Sequence, residues 1–146
     1  MFIIGIVIFL ALLAGVAFLS GAPLIYLDLP SLAVILTLSL AVLLISGLLG
    51  DFFKGFKLMT QKENIYSSIE LKRIGEALKL SIRTVLLSGV FGTLTGLIGS
   101  LSNLSDPASI PQSFGAAALT LLYAIVLTFI LLPVQAKAKA VLATLE

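Results

Sequence analysis

Residues 83 to 103, RTVLLSGVFGTLTGLIGSLSN, hold the side chains of this sequence best placed to do chemistry. Gly89, Gly92, Gly96 and Gly99 fall within an arc of roughly 80° at helical pitch, with Thr93, Ser100 and Asn103 on or beside it. Val90, Leu94, Leu97 and Leu101 take the other sides. In lipid, a flat and slightly polar face lets another helix approach closely, because association there depends on packing and hydrogen bonds. A later stretch repeats the pattern. Ser113, Ala116, Ala117, Thr120, Ala124 and Thr128 share an arc of roughly 120°. Two readings follow: the faces pack against each other, or they line a hydrated path in which Thr93, Ser100, Thr120 and Thr128 position an ion.

The polar inventory of the apolar stretches is hydroxyls, which do not change protonation near neutral pH. Asp, Glu, Lys, Arg and His are absent from the span interiors, with Arg83 counted as interfacial. Transporters and pumps ordinarily keep an ionisable group there. The chain therefore moves no ions by itself, or a second chain brings the carboxylate. Histidine and cysteine are absent altogether, which removes the commonest general base, thiolate metal sites and disulfides. With no paired intramembrane carboxylates either, an enzyme is not expected, and neither is a metal or other cofactor.

The elements that must position these groups are spans. The chain has 146 residues, 60% hydrophobic and 11% charged, with a mean hydropathy of +1.22. Soluble domains carry about 25% charged residues. The apolar runs are continuous rather than alternating, which favours helices over a membrane barrel. We expect an all-α polytopic membrane protein with four spans at about 2–19, 31–49, 83–103 and 112–132. The SGA at 20–22 could end a signal peptide, but the basic leader such a peptide needs is missing.

Residues 50–82 form the polar section. Ser67 and Glu70 have capping-box spacing, so a helix should begin near 67, with Ile74, Leu78 and Ile82 as its apolar stripe. Nothing from 68 to 103 stops it, so the third span should extend into the cytoplasm. Pro107 and Pro111 break it, and Pro133 is expected to close the fourth span before a basic tail, 134–146. Asp28 and Asp106 read as solvated loop charges beside prolines, and the charges of 62–79 as a solvated helix face. The connections 20–30 and 104–112 lack Lys and Arg, while all nine basic residues lie in 50–83 or after 133. Basic residues accumulate on the cytoplasmic side, which places both termini there.

GVFGTLTGLIGSL, 89–101, resembles the third-span signature of the MotA/TolQ/ExbB proton-channel family. YLDLPSLAVIL, 26–36, resembles the entrance to the second span of flagellar stator A subunits. DPASIPQSFGAAALTLLYAIVLTFILLPVQAK, 106–137, resembles their fourth span. The resemblance covers all four spans. It implies a homopentameric ring in the bacterial inner membrane around a dimer of single-span MotB- or ExbD-like partners. A partner aspartate would carry the ion, and ion-motive force would drive mechanical work. By position, Thr93 matches the family's pore threonine and Pro133 the proline, read as a hinge, at the cytoplasmic end of its fourth span. The chain departs from the family at Leu86, where a proline is usual, and at Leu121, where a threonine is common. The 33 residues of 50–82 are also too few for the stators' rotor-engaging domain. A stripped-down stator-like channel driving another envelope machine is expected, moving H+ rather than Na+, with lipid and protein partners and no nucleic acid. The competing reading is a non-conducting scaffold whose small faces, Gly89, Gly92, Gly96 and Gly99 with Ala117 and Ala124, bind partner helices.

Overall fold

A computed structural model describes residues 2–21, 26–60, 66–102 and 110–145. Asn103, Asp106 and Pro107 lie outside the described residues. The described chain is all-helical: α1 (Phe2–Leu19), α2 (Leu29–Ile45), α3 (Leu49–Thr60), α4 (Ser68–Ser102) and α5 (Ile110–Ala143). Two of these, α4 and α5, are long and apolar enough to cross a membrane, and a third crossing exists if α2 and α3, bent by 111°, count as one. The protein is thus membrane-embedded by its helices' length and composition.

The longest helix starts where its sequence says it should. The backbone N–H of Glu70 donates to Ser67 Oγ at 3.3 Å, and the Ser67 N–H donates to Glu70 Oε2 at 3.2 Å. Two amides at the start of α4 are thereby satisfied reciprocally. Its 35 residues reach about 52 Å, well beyond the roughly 30 Å hydrocarbon core.

Two element boundaries differ from expectation. The second apolar helix stops at Ile45, short of 49. Gly47 takes φ +66°, its N–H donates to Leu44 O at 3.1 Å, and the Leu48 N–H donates to Leu43 O at 3.1 Å. Glycine tolerates that conformation without a Cβ penalty, and the bond pair closes the helix as a Schellman motif. The chain then turns into α3, a separate helix within the section read as polar. Pro133, expected to close the fourth helix, lies inside α5, which runs ten residues further. Proline forfeits one backbone bond, but Val134, Ala138 and Val141 beyond it are buried. Their apolar stripe packs with Leu71, Ile74 and Leu78 of α4 and Leu58 of α3, which offsets the lost bond.

This core sits at the charged end of the bundle, beneath the apolar stretches. Gly55 lets α3 lie close on α4, since a Cβ there would meet Leu78 Cδ1 at 3.1 Å. The first helix is the least engaged. Among its described side chains, only Ile6, Phe9, Leu13 and Ala17, one helical stripe, are partly covered. Phe9 meets Phe129 of α5 with ring centroids 5.8 Å apart, and the exposed ring of Pro133 lines the shallow groove beside them.

Candidate functional site: a hydroxyl-lined groove

The two small faces meet each other along most of their length. A Cβ on Gly89 would stand 2.3 Å from Ala124 Cβ, one on Gly92 2.6 Å from Thr120 Cγ2, and one on Gly96 2.9 Å from Ala117 Cβ. Three glycines of α4 are therefore spent on seating α5, whose Ala117 and Ala124 are buried against them. The Thr93 hydroxyl joins this seam by donating to Ala117 O at 2.9 Å. Such side chain to backbone bonds across helices hold them together where water offers no alternative partner. Gly99, one turn on, has nothing within 4 Å.

At that end the seam opens. A groove of about 630 Å³ lies between α2, α4 and α5, lined by Asp28, Ser31, Gly99, Ser100, Ala116 and Thr120 among others. Of the expected ion-path residues, Thr120 and Ser100 line it. Thr93 sits behind it in the seam, and Thr128 lies further along α5 with its hydroxyl donated to Ala124 O at 2.8 Å. The Ser100 hydroxyl likewise donates back to Gly96 O at 2.8 Å.

Three side chains in the groove form a hydrogen-bonded chain. The Ser31 hydroxyl donates to Asp28 Oδ2 at 2.5 Å, and Ser31 Oγ lies 2.8 Å from Thr120 Oγ1. A hydroxyl has one proton to give. With the serine's committed to the carboxylate, the Thr120 proton has two acceptors, Ser31 Oγ at 2.8 Å and Ala116 O at 3.4 Å, of which Ser31 is the nearer. The same carboxylate caps α2 through the Ser31 N–H, ahead of Pro30 in the first turn, where a missing N–H costs nothing. Tyr123 fastens the segment from the other side. Its hydroxyl accepts from the Asp28 N–H at 2.7 Å and donates to Tyr26 O.

Asp28 is thus half-buried at the mouth of the groove, rather than a solvated loop charge. The spacing of Asp28, Pro30 and Ser31 is itself an N-cap signal, and it was the sequence's one pointer to this role. The link to Thr120 spans 89 residues and had none. Chemically, the groove offers hydroxyls, one carboxylate and room for water or a foreign side chain. No group of three or more metal-ligating side chains occurs among the described residues.

The charged end carries a separate ion cluster. Arg73 Nε donates to buried Asp51 Oδ2 at 2.9 Å, and Lys54 Nζ bridges Glu70 at 3.2 Å and Asp51 at 3.5 Å. Glu70's carboxyl is held below its ordinary value, first by the Ser67 N–H and then by the Lys54 ammonium. Lys54 is raised, chiefly by its hydrogen bond to Glu70. These pairs tie α3 to α4. Compared with protein-family models and with curated proteins, the chain matches none.

Proposed function

We propose that this chain is the channel-forming subunit of an ion-driven motor. In this reading four spans cross the bacterial inner membrane with both termini in the cytoplasm. About five copies surround a pair of single-span MotB- or ExbD-like helices, and a partner aspartate carries H+ past the groove. The observation that carries this reading is the groove itself. Beside a seam that uses up three glycines, the chain keeps Gly99 free and lines a groove with the buried Ser100 and Thr120, leaving room for a foreign helix edge. The same groove holds the Asp28 carboxylate, and a carboxylate facing lipid is costly, so such a surface suits water or a polar partner. The paired α4 and α5, both far longer than the hydrocarbon core, would carry motion of the ring out of the membrane.

The scaffold reading is favoured by one specific observation: Thr93, the residue matching the family's pore threonine, gives its proton to Ala117 O within the subunit. The two readings separate in proteoliposomes holding the chain with its aspartate-bearing partner and a pH-sensitive dye. Thr120→Val keeps the side chain's shape and removes the hydroxyl. Proton flux should fall about two- to tenfold with the complex intact, the range a lost neutral hydrogen bond commands. Unchanged flux, or no flux in the unaltered chain, supports the scaffold.

A further inference from the structure

Along α4, Lys72, Glu76, Lys79 and Arg83 lie on one stripe, and Leu86, Leu87, Val90 and Leu94 continue it within an arc of about 100°. The lower part is cationic and the upper part is exposed hydrocarbon: Leu87 is 68% exposed, Val90 46% and Leu94 54%. At the lower end a groove of about 370 Å³ runs between α4 and α5, floored by Leu71, Gly75, Ala138 and Leu142 and rimmed by Lys72, Glu76, Lys79 and Lys139. Lys79 is held by Glu76 at 3.5 Å, whereas Arg83 and Lys139 have no ion-pair partner among the described residues.

We propose that this groove and stripe bind one anionic phospholipid per chain. The phosphate sits between Arg83 and Lys139, with Lys79 near by, and an acyl chain lies along Leu87, Val90 and Leu94. Charge selects the occupant. Arg83 and Lys139 have no ion-pair partner among the described residues, Glu76 on the rim is held by Lys79, and the described acidic groups Asp51 and Glu70 are engaged by Arg73 and Lys54. A second copy of the chain therefore offers no described acidic surface to match. Depth selects it further. Lys79 lies about 6 Å along the helix from Arg83, which spans the headgroup layer just outside the hydrocarbon, and basic pockets between membrane helices hold anionic headgroups there. The groove alone would suit any anion; the exposed apolar stripe directly above it requires one with a hydrocarbon tail. The inference rests on the chain being membrane-embedded, not on its conducting ions.

The test uses the full chain in mild detergent, with lipid retention read by native mass spectrometry after adding dioleoyl phosphatidylglycerol or dioleoyl phosphatidylcholine. One phosphatidylglycerol per chain should survive conditions that strip phosphatidylcholine. Arg83→Gln and Lys139→Gln should each lower that retention about fivefold, the effect of one cation near an anionic surface. Arg83→Lys and Lys139→Arg should preserve it, as should Lys57→Gln on α3. Equal retention of the two lipids overturns the proposal, as does an equal loss in Lys57→Gln. Displacement by inorganic phosphate overturns it too, since it would mean a soluble-anion site. So does a change in the number of copies per complex with retention unaltered, which would make the stripe a subunit contact. Ion flux is not read in this experiment, so its outcome is separate from that of the channel reading.

Discussion

Replacing Gly89 by alanine tests the seam on which the groove is built. The new Cβ would stand 2.3 Å from Ala124 Cβ, whereas carbon atoms rest at about 3.5–4.0 Å. Neither atom is the end of a flexible side chain, so relief requires α4 and α5 to separate by about 1.5 Å at that level. Such a shift would lengthen the 2.9 Å bond from Thr93 to Ala117 O well past hydrogen-bond range. Overpacking of this kind costs about 1–3 kcal/mol, and the lost interhelical bond adds about 0.6 kcal/mol. The better helix propensity of alanine returns up to about 1 kcal/mol, leaving a net loss of roughly 1–3 kcal/mol. Gly99→Ala enters open space and should be neutral or stabilising by up to about 1 kcal/mol. The assay is unfolding in mild detergent followed by far-UV circular dichroism. Ala124→Gly in the Gly89→Ala background should restore most of the loss, because the seam again carries one Cβ instead of two. Equal effects at Gly89 and Gly99, or no rescue by Ala124→Gly, would refute the seam as described.

Two further predictions concern the polar contacts. Tyr123→Phe removes both bonds that fasten residues 26–28 to α5; it should lower stability by about 1 kcal/mol and speed hydrogen exchange at the Asp28 amide. No change in that exchange would show that Tyr123 does not hold the segment. The contact of Glu70 with Ser67 and Lys54 stabilises the start of α4 above the ordinary carboxylate value of 4.5. Its carboxyl is held below that value when folded, so the contribution is lost as pH falls through the lowered folded pKa. Helix content at the start of α4 should drop on acidification below about pH 4.5 in the unaltered chain and be pH-independent there in Glu70→Ala. Lys54, raised from 10.5, contributes fully below that value and loses its share only as pH climbs through the raised folded pKa.

Local chemistry was legible in the sequence where its partners are near neighbours. Ser67 and Glu70 are three residues apart, and their spacing alone starts α4 where the structure starts it. The glycine face of α4 was equally plain, since helical pitch brings Gly89, Gly92 and Gly96 together whatever they touch. What they touch was not legible, because Ala117, Thr120 and Ala124 suit a partner helix or a neighbouring span equally well. Gly47 was a missed signal: a glycine after Ser46 marks a helix end, but the apolar run resumes at Leu48 and Leu49 and masks it. Pro133 misled for the opposite reason. Proline's local cost is visible in sequence, whereas the burial of Val134, Ala138 and Val141 that outweighs it depends on where α4 lies. Asp28, two residues before Pro30, has the local context of a solvated turn, and what covers it is not local in sequence. Thr120 and Tyr123 come from the far end of the chain.

The number of chains in the purified complex, counted by native mass spectrometry with and without a single-span aspartate-bearing partner, bears most directly on the channel reading. Five copies, holding two partner helices when these are present, are the predicted result. A chain that stays monomeric in bilayer-like discs and takes up no partner would contradict it.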